Sequence, residues 1–193
     1  YDSYVRGAQE LAQKYPERKI VVVDSRAASM GEGLLVYYAV ENRRSGMSLE
    51  DNARWLEDNK LHLCHWFTVD DLMHLHRGGR VSKTSAVFGS MLSIKPVLHV
   101  DDEGHLILVS KSRGRQASLQ ALADRMKATV FENVREQMIF ISHGDCPEDA
   151  EKLADILRKT FGVTKIMIHS IGAVIGSHSG PGTVALFFLG SQR

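Results

Sequence analysis

Lys95-Pro96-Val97-Leu98-His99-Val100-Asp101-Asp102-Glu103-Gly104-His105-Leu106-Ile107-Leu108-Val109-Ser110 reads as two strands joined by a tight turn. Gly104 supplies the positive φ that such a turn demands, and aliphatic residues flank it on both sides. Downstream, Gln116 to Val130 predicts an amphipathic helix with Leu119, Leu122, Met126 and Val130 inward. Met138 to Ser142 predicts a strand. Asp145-Cys146-Pro147-Glu148 opens a helix that buries Ala150, Leu153, Ala154, Leu157 and Phe161, and Lys165 to Ile168 and Thr183 to Leu189 complete the strands. Upstream, Leu61 to Phe67 predicts a strand, Thr68-Val69-Asp70-Asp71 a hydroxyl-capped helix start, and Gly78-Gly79 its end. A hairpin followed by strand–helix–strand units implies a mixed sheet with helices packed on it. Residues 61–193 are therefore expected to form an α/β domain of two layers.

Residues 1–60 carry a different pattern. Val5, Ala8, Leu11, Ala12 and Tyr15 recur at helical spacing until Pro16. Lys19-Ile20-Val21-Val22-Val23-Asp24 is a β-branched run suited to a strand covered on both faces, as in a parallel sheet. Leu34, Leu35, Tyr38 and Ala39 mark one helix. Ser48-Leu49-Glu50-Asp51 caps another, with Leu49, Ala53 and Leu56 as its buried stripe. This segment is expected to be the C-terminal part of a three-layer α/β/α parallel-sheet domain. Because Tyr1 falls inside a helical pattern, the chain reads as the later part of a longer protein.

Composition narrows the function. The chain has 193 residues, 44% of them hydrophobic and 24% charged, with a net charge of +1. Disorder is excluded, and no apolar run approaches the roughly 20 residues of a membrane span. Near-neutrality argues against broad nucleic-acid binding. Cys64 and Cys146 cannot make a disulfide framework, and a cytoplasmic protein with free thiols is the expectation. Charge is uneven: Arg77, Arg80, Lys83, Lys95, Lys111, Arg113 and Arg115 face only Asp101, Asp102 and Glu103 in the same stretch. This is a solvated face or a docking surface for an acidic or phosphate-bearing partner.

Several motifs could carry chemistry. Gly176-Ser177-His178-Ser179-Gly180-Pro181-Gly182 predicts a loop at a sheet edge, where His178 could donate to an anionic oxygen. Asp24-Ser25 lies at the end of the expected parallel strand, where open α/β sheets bind ligands. Lys111-Ser112-Arg113-Gly114-Arg115 is a strand-to-helix connection whose guanidinium groups could hold an anion. Phe88, Met91, Leu92 and Ile94 form either ordinary core or the wall of an apolar tunnel. No GxGxxG, Walker A or GxSxG signature is present. A metal site is not expected: His74 and His76 do not share a helix face, and His62 and His65 fall on opposite sides of a strand.

Together these segments resemble the DegV family of bacterial fatty-acid-binding proteins. The resemblance rests on Val22-Val23-Asp24-Ser25 with Gly31-Glu32-Gly33, on Cys64-His65-Trp66-Phe67-Thr68-Val69-Asp70-Asp71-Leu72, and on Arg77-Gly78-Gly79-Arg80-Val81-Ser82. It continues through Ile94-Lys95-Pro96-Val97-Leu98, Arg113-Gly114-Arg115, Ile141-Ser142-His143-Gly144-Asp145 and the run from Ile171 to Gly182. It covers the C-terminal two thirds of the family's pattern. It implies a lipid-binding subunit of a fatty acid kinase system, not itself an enzyme, that holds a long-chain fatty acid between two domains. A separate kinase would then phosphorylate the carboxylate with ATP to give an acyl phosphate.

On this resemblance His178, Ser177 and Ser25 form the carboxylate network. Phe88, Met91, Ile94 and Ile175 line the tail, and Arg113, Arg115 and Arg80 contact the kinase. No cofactor or metal is implied beyond the bound fatty acid. The physics agrees: about 0.8 kcal/mol per buried CH₂ gives a long chain roughly 10 kcal/mol before ordering costs, and a buried carboxylate must be hydrogen-bonded. Apolar surface beside Val21 to Val23 is expected to be exposed, and the isolated chain to self-associate. Two other readings use the same residues. One is an α/β enzyme acting on a small phosphorylated or carboxylated substrate, with His178 as acid/base and Arg113 or Arg115 as anion clamp. The other is an interaction domain built on the basic stretch.

Overall fold

The computed structural model describes residues 2–81 and 93–193. The helices are α1 (Asp2–Lys14), α2 (Met30–Arg44), α3 (Leu49–Asn59), α4 (Leu72–Arg77), α5 (Arg115–Thr129), α6 (Pro147–Phe161) and α7 (Ala173–Ser179). The strands are β1 (Leu63–Thr68), β2 (Ile94–Val100), β3 (Leu106–Arg113), β4 (Ile139–His143), β5 (Ile166–Ser170) and β6 (Val184–Leu189). They form one mixed sheet in the order β3-β2-β1-β6-β4-β5. The β4–β5 pair is parallel and the rest are antiparallel. The expected mixed α/β sheet and its hairpin are both present.

The central strands explain the layering. Every residue of β1 and of β6 is buried, as required when both faces of a strand are covered. Cys64 and Trp66 point into a core with Leu119, Leu122 and Met126 of α5 and Leu153 and Leu157 of α6. Leu63 and Phe67 point the other way, toward Leu34 and Leu35 of α2 and Leu72 and Leu75 of α4. At about 1.5–3 kcal/mol per buried side chain, either core outweighs any surface contact. The edge strand β3 alternates half-buried and exposed residues.

Three expectations change. Residues 19–28 form no regular strand, and Ile20 and Val21 are exposed, because among the described residues no neighbouring strand pairs with them. Helix α4 is capped by Asp71, whose side chain accepts from the Met73 N–H. Thr68 instead ends β1, opposite Val184, so pairing takes the residue that the cap would have used. Residues 176–179, expected within a loop, fall in helix α7, which stops where Gly180 turns to φ +80°. Helix α1 forms as expected but buries no residue, and Leu11 and Tyr15 are exposed.

Candidate functional site

A cavity of about 320 Å³ opens on the face of the sheet that carries α2. That is within the range of small-molecule sites, about 300–1,000 Å³. Its floor is set by register: Phe67 of β1 and Ser142 of β4 both lie opposite Ala185 of β6, and His65 lies opposite Phe187. Val100 and Leu106 close the hairpin side, and Leu75 of α4 and Ile175 and His178 of α7 form the wall. The lining is chiefly aliphatic and aromatic, which suits a hydrocarbon chain.

Polar groups share the lining with these apolar ones. The Ser29 hydroxyl donates to the Ser142 hydroxyl at 3.2 Å. The His65 Nε2–H donates to the Ala28 carbonyl at 3.0 Å. Thr183 donates to the carbonyls of Ser179 and Gly180, closing the turn after α7. His178 is half-buried, and its Nδ1 is buried without a hydrogen-bond partner among the described residues. It fits because Gly78 has no side chain: a Cβ there would stand 2.9 Å from that nitrogen. Helix α7 is tied to α4 by the His74 Nε2–H, which donates to the Ser177 carbonyl at 2.9 Å.

Burial pushes the His65 imidazole down to about 3, aided by the nearby Arg193 charge and opposed by the Ala28 carbonyl. Below its unfolded value near 6.5, only the unfolded chain takes up this proton. Stability is therefore full above about pH 6.5 and falls toward pH 3. The slope is at most ~1.4 kcal/mol per pH unit from this group. Urea midpoints measured between pH 5 and 7 should show that slope, and a His65→Gln variant should lack it.

Of the expected site residues, His178, Ile175 and Arg80 line the cavity. Ser177 and Ser25 do not: Ser177 is exposed and donates to the Val174 carbonyl, and the Ser25 hydroxyl accepts from the Ala27 N–H within its own loop. Ile94 opens β2, half-buried and outside the lining, while Phe88 and Met91 lie outside the described residues. Arg113 is exposed at the end of β3. Arg115 is held inside the chain, its Nε 2.7 Å from Asp149 and its Nη2 2.6 Å from the Gly182 carbonyl. An anion clamp built on Arg115 would first have to break those bonds.

Ser29, Ser142 and His65 were missed from sequence. Ser142 carried a signal, a hydroxyl alternating with Ile141 on a strand and so sharing a face with Phe140. A second depression of about 630 Å³, beside His143, Ser170 and Pro181, is open and lacks a long apolar wall. The Asp101, Glu103 and His105 side chains approach one another in the hairpin turn. There the Asp101 carboxylate already accepts from the N–H groups of Glu103 and His105.

No helix among the described residues is long and apolar enough to cross a membrane. A family described as "Uncharacterised protein, DegV family" matches residues 3–191. A DegV domain-containing protein of Clostridium perfringens is 50% identical over the full chain, which spans 66% of that relative's length. Among solved structures, the fatty acid binding DegV family protein of Streptococcus agalactiae aligns with TM-score 0.79 and 33% identity, over 95% of this chain and 64% of that one. The Fatty Acid Kinase (Fak) B3 protein of Streptococcus pneumoniae, loaded with linoleic acid, aligns with TM-score 0.86 and 23% identity, over 96% and 65%. The chain belongs to the DegV family.

Proposed function

We propose that this protein binds a long-chain fatty acid and presents its carboxylate to a separate ATP-dependent kinase. The observation that carries the reading is a cavity lined chiefly by apolar side chains, into which the hydrogen-bonded Ser29–Ser142 hydroxyl pair and His178 also project. The tail runs over Phe67, Leu75 and Ile175 toward Val100 and Leu106. The headgroup meets Ser29, Ser142 and His178, which satisfies the bonds that a buried carboxylate demands. The Streptococcus agalactiae relative is described as fatty acid binding, which supports the ligand class, and the Streptococcus pneumoniae neighbour's name supports a kinase partner.

The lipid lies between two parts of the chain divided near residue 60. Ala28 and Ser29 come from the first part, and the sheet and α7 from the second. Arg80 beside the cavity and exposed Arg113 are the kinase contacts in this reading, with Arg115 supporting the turn beneath them. The protein acts as a carrier in the cytoplasm, without cofactor or metal. Extraction and mass spectrometry of the purified protein should find a fatty acid, and added oleic acid should titrate to saturation. His178→Ala should weaken that titration roughly ten-fold, the worth of one hydrogen bond to a charged group. Absence of both co-purified and added lipid would overturn the reading. Exposed Leu11, Tyr15, Ile20 and Val21 should also drive self-association, and light scattering that stays monomeric at high concentration would count against it.

A further inference from the structure

We infer that His65 is a positioning residue: from β1 it fixes the peptide of Ala28 and thereby aims the Ser29 hydroxyl into the cavity. This rests on the fatty-acid reading and names a residue which that reading does not use. Ser29 sits at φ 56° and ψ −138°, a conformation that residues with side chains rarely adopt and that persists only when neighbours enforce it. Three residues earlier Arg26 is also at positive φ, 47°. Among the described residues no strand pairs with residues 19–28, and the Ser29 carbonyl receives only the long 3.4 Å bond from the Gly33 N–H that opens α2.

Arg26 bonds the Asp102 carbonyl and Arg193 the Arg26 carbonyl, but the peptide that begins Ser29 is held at one carbonyl. Ala28 O accepts from the Gly31 N–H at 3.0 Å, a bond within the loop, and from His65 Nε2 at 3.0 Å, a bond that ties the loop to the sheet. The peptide that carries this carbonyl is the one that begins Ser29. Because the partner is a carbonyl, Nε2 carries the proton, and burial keeps the ring neutral and in that tautomer. The ring is fixed in turn by Phe187, at 4.6 Å between centroids. Gly31 leaves it room, since a Cβ at that position would stand 2.5 Å from Nε2. Once His65 sets the peptide, the Ser29 hydroxyl reaches Ser142 at 3.2 Å.

The test compares palmitic acid with its methyl ester, which share a tail and differ at the headgroup. His65→Leu should weaken binding of the acid roughly ten-fold more than binding of the ester, the worth of one hydrogen bond. His65→Gln, whose amide nitrogen can occupy the place of Nε2, should restore the acid. Gly31→Ala, which displaces the ring while keeping it, should behave like His65→Leu and carries the test if that variant fails to fold. In a Ser29→Ala background, His65→Leu should cause no further loss. Equal loss of acid and ester, a folded Gln variant that does not recover, or additive losses would overturn the inference. A wild-type protein that binds neither compound would overturn the fatty-acid reading itself. A wild type that prefers the acid, beside a His65→Leu variant with the same preference, would overturn only the role of His65.

Discussion

Arg115→Met is expected to destabilise the protein by about 3 kcal/mol, the cost of removing one partner from a largely buried ion pair. The side chains of Arg115 and Asp149 are 18% and 19% exposed, and their N···O distance is 2.7 Å. The same guanidinium donates to the Gly182 carbonyl and lies 3.7 Å from Asp70, which Lys95 also holds at 2.8 Å. Methionine keeps the stem and leaves Asp149 and the Gly182 carbonyl without this donor. Burial alone would push the Asp149 carboxyl up, but hydrogen bonds from Lys152 and Arg115 outweigh it and hold the group below its ordinary value. A lowered carboxyl contributes stability above its unfolded pKa near 4 and loses it as pH falls through the folded value. The gap between wild type and variant should therefore be full at pH 7 and narrow below about pH 4. Urea melts at both pH values check this. A gap that does not change with pH would show that lost packing, not lost charge, is responsible.

Ala185→Phe is expected to abolish most lipid uptake without harming the fold. Ala185 is buried in the cavity floor, across from Phe67 on one side and Ser142 on the other. A benzyl side chain there would project into the space that the tail needs. Excluding three or four methylenes at about 0.8 kcal/mol each lowers affinity roughly a hundred-fold. Because the ring enters a space and not packed core, the melting temperature should hold or rise. Unchanged oleic acid titration by the folded variant would place the tail elsewhere.

How much of this was legible in the sequence depends on distance along the chain. The β2–β3 hairpin was readable because Gly104 and its flanking runs sit within one short window. The α5 and α6 stripes were readable for the same reason. The cavity was less so. Ser29 and Ser142 are 113 residues apart and meet only because β4 joins β6 and α2 lies over that pair. Reasoning from motif neighbours chose Ser25 and Ser177, whose hydroxyls bond to their own backbones outside the cavity lining. Gly176, Gly180 and Gly182 suggested a loop, yet a helix forms up to Ser179 because the Gly176 N–H reaches the Gly172 carbonyl and the Gly180 N–H that of Gly176. The basic excess hid a division of labour that local charge counting cannot see: Arg113 faces solvent while Arg115, two residues on, is an internal tie.

The β1–β6 pairing has a temporal consequence. Leu63 sits opposite Leu189, so the middle of the sheet joins segments far apart in the sequence. During synthesis the β1-β2-β3 meander can assemble early, and β4 with β5 later; α2 and the α5–α6 packing bridge the two halves, but among the described residues no strand joins them until Val184 to Leu189 emerges. Contacts of such long sequence separation are slow to form. A nascent chain stopped short of Val184 would therefore carry two unsealed sheet edges and no finished cavity, and would depend on chaperones until β6 arrived.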